Sequence, residues 1–111
     1  MPVINKATFE ELKELSGADF INELIDAFVE DAPNMIQSMQ AALDTRDTES
    51  FRRNAHSLKS NANTFGATEL GVLAKELEQM AKENNLEVGT KLEILKEAFS
   101  KAAEELKGMR A

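Results

Sequence analysis

The stretch FRRNAHSLKSNANTFGA, Phe51 to Ala67, decides the fold. Its apolar residues are Phe51, Ala55, Leu58, Ala62 and Phe65, spaced alternately by four and three. That is the period of an amphipathic helix with one buried stripe. Gly66 stands where such a helix needs a residue that tolerates a left-handed stop. On a wheel of about 100° per residue, with His56 at zero, the stripe falls between about 180° and 260°. His56 lies about 140° from the centre of that stripe, so it points outward rather than into a core. It is the only histidine of the chain. Between Ala55 and Ala67 the one charged residue is Lys59, although 30% of the chain is charged.

Outward from this segment the same period repeats. Thr8 and Glu11 have the spacing of a capping box and open a short helix to about Leu15, which Ser16 and Gly17 break. A second helix starts near Ala18 or Asp19. It keeps Ile21, Leu24, Ile25, Phe28, Ala32, Met35, Ile36, Met39 and Leu43 on one face. Pro33 sits inside this pattern and removes the bond to the Val29 carbonyl, so a kink or a split is expected there. The residues from Thr45 to Thr48 end the second helix, and Asp47 or Thr48 can cap the third. Thr68 can cap a fourth, with Leu70, Leu73, Leu77 and Met80 or Ala81 inward. Asn84 and Asn85 form the turn. A fifth helix runs from about Val88 to Lys107, with Val88, Leu92, Leu95, Phe99, Ala102 and Leu106 inward. Four long amphipathic helices joined by short loops bury their stripes against one another as antiparallel neighbours. The expectation is an all-α, up-down four-helix bundle with a short extra N-terminal helix, forming one domain over residues 1–111.

Composition supports this and narrows the partners. The chain has 5 Gly and 2 Pro, and its hydrophobic fraction of 42% is that of a globular protein. A formal net charge of -7 argues against nucleic acid and against an anionic membrane surface. The absence of cysteine excludes a disulfide framework and a thiolate nucleophile, and fits a reducing compartment. No apolar run approaches the roughly 20 residues of a membrane span, and the N-terminus lacks a signal-peptide pattern. The default location is cytoplasmic.

The outward face of the third helix suggests its chemistry. Lys59, Ser60 and Asn63 follow His56 at three, four and seven residues, within about 60° of it on the wheel. The strip offers one cation and small polar groups, and no carboxylate on this helix follows Glu49. Such a surface is arranged to receive an anionic group. A neutral imidazole is a competent nucleophile near pH 7, because its unperturbed pKa is about 6.5. Phosphoryl transfer needs mainly positioning and charge neutralisation. Lys59 can approach the oxygens of a phosphoryl group on the ring. Ser60 is small enough to let a second protein come close. Against this stands the plain reading that His56 and Lys59 are solvated surface residues, which spacing alone does not remove.

The run AHSLKSNANTFGA resembles the signature of histidine-containing phosphotransfer domains: Ala-His-x-Leu-Lys-Gly, small residues, then Gly-Ala. Ala55, His56, Leu58, Lys59, Gly66 and Ala67 match it. The segment FVEDAP, Phe28 to Pro33, looks like the second helix of that family, so the resemblance covers essentially the whole chain. It implies that His56 is phosphorylated, that Lys59 stabilises the phosphoryl group, and that the surrounding face docks a receiver domain. Ser57, Ser60, Asn63, Arg52 and Arg53 are the candidate docking residues. One departure is Ser60, where the family commonly has Gly. Family members often place a polar residue of the following helix near the imidazole. Glu78 or Gln79 could serve, and spacing does not choose between them; plain helix surface is the more ordinary reading of either.

The resemblance implies a phosphorelay carrier that moves a phosphoryl group from one receiver aspartate through His56 to another. The chain has no Gly-rich phosphate loop or Walker motif, so no ATP site and no cofactor of its own is expected, the Mg²⁺ belonging to the receiver. A sensor hybrid histidine kinase is a further candidate partner. A monomer is expected, because a dimer over His56 would block it. Met1 and the absence of a linker lean toward a free-standing protein. The competing readings are a non-catalytic adapter bundle, a carrier phosphorylated directly at a kinase's ATP site, and a metal-carrying bundle. The last is poorly supported: the Glu-x-x-His pair of di-iron bundles is absent, Arg53 standing three residues before His56.

Overall fold

The computed structural model describes residues 3–110. Met1, on which the free-standing reading leans, lies outside them. The chain forms α1 (Lys6–Ser16), α2 (Ala18–Thr45), α3 (Thr48–Phe65), α4 (Thr68–Lys82) and α5 (Lys91–Gly108). These make an antiparallel four-helix bundle, α2 to α5, with α1 packed against α2 and α3.

The stripe that set the reading of α3 is the buried one. Phe51, Ala55, Leu58, Ala62 and Phe65 are all buried, as are Ile21, Ile25, Phe28, Ala32, Ile36, Met39 and Ala42 of α2. Phe28 is the junction of three helices. Its ring centroid lies 5.0 Å from that of Phe65 on α3 and 5.7 Å from that of Phe99 on α5. No helix among the described residues is long and apolar enough to cross a membrane.

Four local expectations change, the simplest being that the fifth helix begins at Lys91, with Val88 buried in the loop before it. The first helix starts at Lys6, before Thr8, and Asn5 caps it by accepting from the Thr8 amide at 3.1 Å. Asn5 wins because its own amide is tied to the Gly66 carbonyl at 2.8 Å, which pins the cap to the end of α3. Thr8 and Glu11 therefore lie inside the helix. Pro33 does not split α2, which runs unbroken to Thr45. One lost backbone bond is outweighed by a buried face that continues on both sides of Pro33, through Phe28, Ala32, Ile36 and Met39. The fourth helix starts at Thr68 with Ala67 at the cap position and no side-chain cap, so Thr68 is its first residue, not its cap.

Two loops hold the pair that matters for the site. Asp47 caps α3 by accepting from the Ser50 amide at 3.1 Å. Gly66 ends it at φ 84°, with the Ala67 amide on the Ala62 carbonyl at 2.8 Å, a Schellman closure. A side chain at Gly66 would also strike the Asn5 carbonyl. The α3–α4 turn is thus short and defined, and α4 folds straight back along α3.

Candidate functional site

His56 lies on the open face of α3, its side chain 55% exposed. Its partner comes from α4. The Nδ1 atom lies 2.7 Å from Oε2 of Glu78, and the Lys59 ammonium donates to Oε1 of the same carboxylate at 2.6 Å. The ammonium of Lys82 stands 3.9 Å from Oε2. Glu78 is the one buried charged residue among the described residues, at 2% exposure.

A buried carboxylate is tolerated only when its charge is compensated. Burial by itself pushes the pKa of Glu78 up. The hydrogen bonds from Lys59 and His56, with their charges, more than offset this and hold it below its ordinary value of 4.5. Glu78 is therefore an anion near neutral pH and can only accept. It follows that Nδ1 of His56 carries the ring proton. In the neutral ring the bare lone pair is then on Nε2.

The sign of the pH dependence follows. Between the folded and the unfolded pKa of Glu78 the unfolded chain binds more protons, so stability rises with pH there. The contribution is fully present above the ordinary carboxylate range and is lost as pH falls through the folded value. Thermal melts of the native chain and of Glu78→Gln, taken from neutral pH to about pH 3, should converge at the acid end. A difference that stays constant over that range would show that the Glu78 charge contributes nothing.

The structure gathers some of the expected residues and leaves others apart. His56 and Lys59 meet on Glu78. Ser57, Ser60 and Asn63 are exposed on the same helix, and Arg53 is exposed one turn before His56. Arg52 is held in a separate pair, its guanidinium gripping Glu49 through Nε at 3.2 Å and Nη2 at 2.5 Å. The expectation that no carboxylate follows Glu49 on α3 concerns that helix alone. The helix α4 supplies one, and the cations Lys59 and Lys82 compensate it. The expectation that Glu78 is plain helix surface is overturned. Gln79 is the surface residue, and its amide reaches Glu83 at 3.3 Å. A signal for Glu78 does exist in the sequence. Gly71, Ala74, Glu78 and Ala81 share one helical face, and a carboxylate on a stripe of small residues is out of place unless it has a partner. Among the described residues no cluster of His, Cys, Asp or Glu could hold a metal ion.

Fold and site together define a class: a helical bundle that presents a single imidazole, backed by a buried carboxylate, on an open helix face. Comparison with known proteins gives the family. The Hpt domain model matches residues 23–109. The chain is 29% identical over 85 residues to the phosphorelay protein LuxU of Vibrio harveyi, covering 77% of this chain and 75% of that protein. Its structure is similar to the crystal structure of histidine-containing phosphotransfer protein B of Pseudomonas aeruginosa PAO1, with a TM-score of 0.87 and 28% identity. That match covers 98% of this chain and 95% of the other. The chain belongs to the Hpt domain family, and it is a phosphorelay carrier of two-component signalling. Carriers of this kind are phosphotransfer intermediates rather than kinases, and their partners are receiver domains.

Proposed function

We propose that His56 is the phosphoryl acceptor, that it takes the group from an aspartyl phosphate of one receiver domain, and that it passes it to an aspartate of another. The observation that carries this reading is the buried Glu78 carboxylate on Nδ1, which leaves Nε2 as the free nucleophile of an exposed ring. The Nε2 lone pair attacks phosphorus. The P–O bond to the receiver's carboxyl group breaks, and its electrons leave with that carboxylate. The product is a phosphoramidate on a cationic ring whose proton stays on Nδ1 and is donated to the Glu78 carboxylate. That anion stabilises the cation as it forms. Attack by the second receiver's carboxylate reverses the same steps.

Lys59 has donors to spare. One holds Glu78, and the others can face the phosphoryl oxygens, since its side chain is still 23% exposed. Lys59→Ala should slow transfer about tenfold, the loss of one partly screened charged hydrogen bond. An unchanged single-turnover rate would remove Lys59 from the reaction. Ser57, Ser60, Asn63, Arg52 and Arg53 form the surrounding docking face. The chain acts as one domain and a monomer in the cytoplasm, without an ATP site of its own, and a sensor hybrid histidine kinase is the upstream source of phosphate.

The test is label transfer. A receiver charged with radiolabelled phosphate is mixed with this protein and Mg²⁺. Acid-labile, alkali-stable label on the small chain supports a phosphohistidine carrier. Failure with several receivers would favour an adapter that docks without accepting phosphate.

A further inference from the structure

Gly71 is the fourth residue of α4, closing its first turn; it is buried, and its φ is not in the left-handed region. A helix disfavours glycine relative to alanine, so the position needs another reason. The reason is Asn63. A Cβ built on Gly71 would overlap the carboxamide oxygen of Asn63 and come within 3.0 Å of its Cγ. The three atoms nearest to that Cβ all belong to the Asn63 side chain, and none to the backbone of α3. Gly71 therefore makes room for a side chain, not for a close helix crossing. The Asn63 carboxamide reaches into the space that a side chain at 71 would fill.

The place of this contact matters. His56 faces position 78 and Asn63 faces position 71, so both contacts lie on one antiparallel seam. Seven residues of α3, about 10 Å of helix, separate them. A protein that brings its own carboxylate to Nε2 covers a footprint of ordinary size, about 800 Å², or about 16 Å in radius. Asn63 falls inside that circle.

We infer that Gly71 is a positioning residue for receiver docking: it lets Asn63 lie flush, and so keeps the surface beside His56 low enough for the partner to seat. This rests on the receiver-facing role proposed for His56. A methyl group at 71 pushes the Asn63 side chain out to another rotamer, into the footprint. The chemistry at Nε2 is not touched.

The experiment compares two phosphoryl donors on the native chain, Gly71→Ala, Asn63→Ala and the double variant. One donor is a phosphorylated receiver, followed by single-turnover transfer at increasing receiver concentration. The other is phosphoramidate, small enough to reach His56 without docking. Gly71→Ala should raise the half-saturating receiver concentration roughly tenfold, the effect of an Asn63 side chain displaced into the footprint, with the limiting rate and phosphoramidate labelling unchanged. Asn63→Ala alone reads what Asn63 itself contributes to the docking face, and the double variant should match Asn63→Ala, because Gly71→Ala acts only through that side chain. An unchanged half-saturating concentration in Gly71→Ala overturns the inference. So does a double variant that docks more weakly than Asn63→Ala alone, since Gly71→Ala would then act by some other route than Asn63. If Gly71→Ala unfolds while the double variant folds, Gly71 serves packing alone and the docking role is lost. A native chain that takes label from neither donor would instead defeat the carrier assignment at His56, independently of Gly71.

Discussion

Replacing His56 with Gln should abolish phosphoryl acceptance while the circular dichroism spectrum and melting temperature stay close to native. The loss is complete for a chemical reason. The nitrogen of a carboxamide has its lone pair delocalised into the carbonyl and does not attack phosphorus. The chain has no second histidine and no cysteine to take over, so residual labelling should fall by at least about 10³-fold. The fold should survive because the His56 side chain is half in solvent, lies outside the buried stripe of α3, and hydrogen-bonds Glu78. A glutamine amide can donate to the same carboxylate, which keeps Glu78 from being stranded beside Lys59 alone. Label that persists in this variant would sink the assignment of the site. A variant that fails to fold would show that His56 has a structural role that its exposure does not suggest.

The largest expected loss of stability comes from Phe28→Ala. Phe28 is 4% exposed and touches rings on two other helices. Truncation removes its apolar burial and leaves a cavity where α2, α3 and α5 meet, at a cost of about 3–5 kcal/mol. That is a large share of the roughly 5–15 kcal/mol that holds a domain of this size. The midpoint of thermal unfolding should fall by about 4–8 °C for each kcal/mol lost. The fraction that remains folded at low temperature should still accept phosphate at His56, because Phe28 lies on the far side of α3 from the imidazole. A drop of only a few degrees would mean that the neighbouring rings collapse into the space. Stability and transfer are thus separable: His56→Gln removes one and spares the other, and Phe28→Ala does the reverse.

The helices were legible because each amphipathic stripe is a local property. Phe51, Ala55, Leu58, Ala62 and Phe65 are the buried residues of α3, residue for residue as their spacing predicts. The outward placement of His56 follows from the same wheel, since a residue opposite a filled stripe has nowhere to point but solvent. Local rules failed where a distant contact outweighed them. Asn5 took the cap of α1 because Gly66 anchors it, and α2 ran through Pro33 because packing on both sides holds it.

What the sequence determined by itself was the set of faces: which residues of each helix are buried, and that one imidazole and one ammonium share an open strip of α3. What only the tertiary structure decided was which face meets which. Glu78 and Asn63 show why. Each is an ordinary polar residue on its own helix, and each acquires its role from the antiparallel register of α3 and α4, in which 56 faces 78 and 63 faces 71. A register between two helices is set by the packing of both surfaces and the length of the turn between them, and no periodicity within either helix contains it.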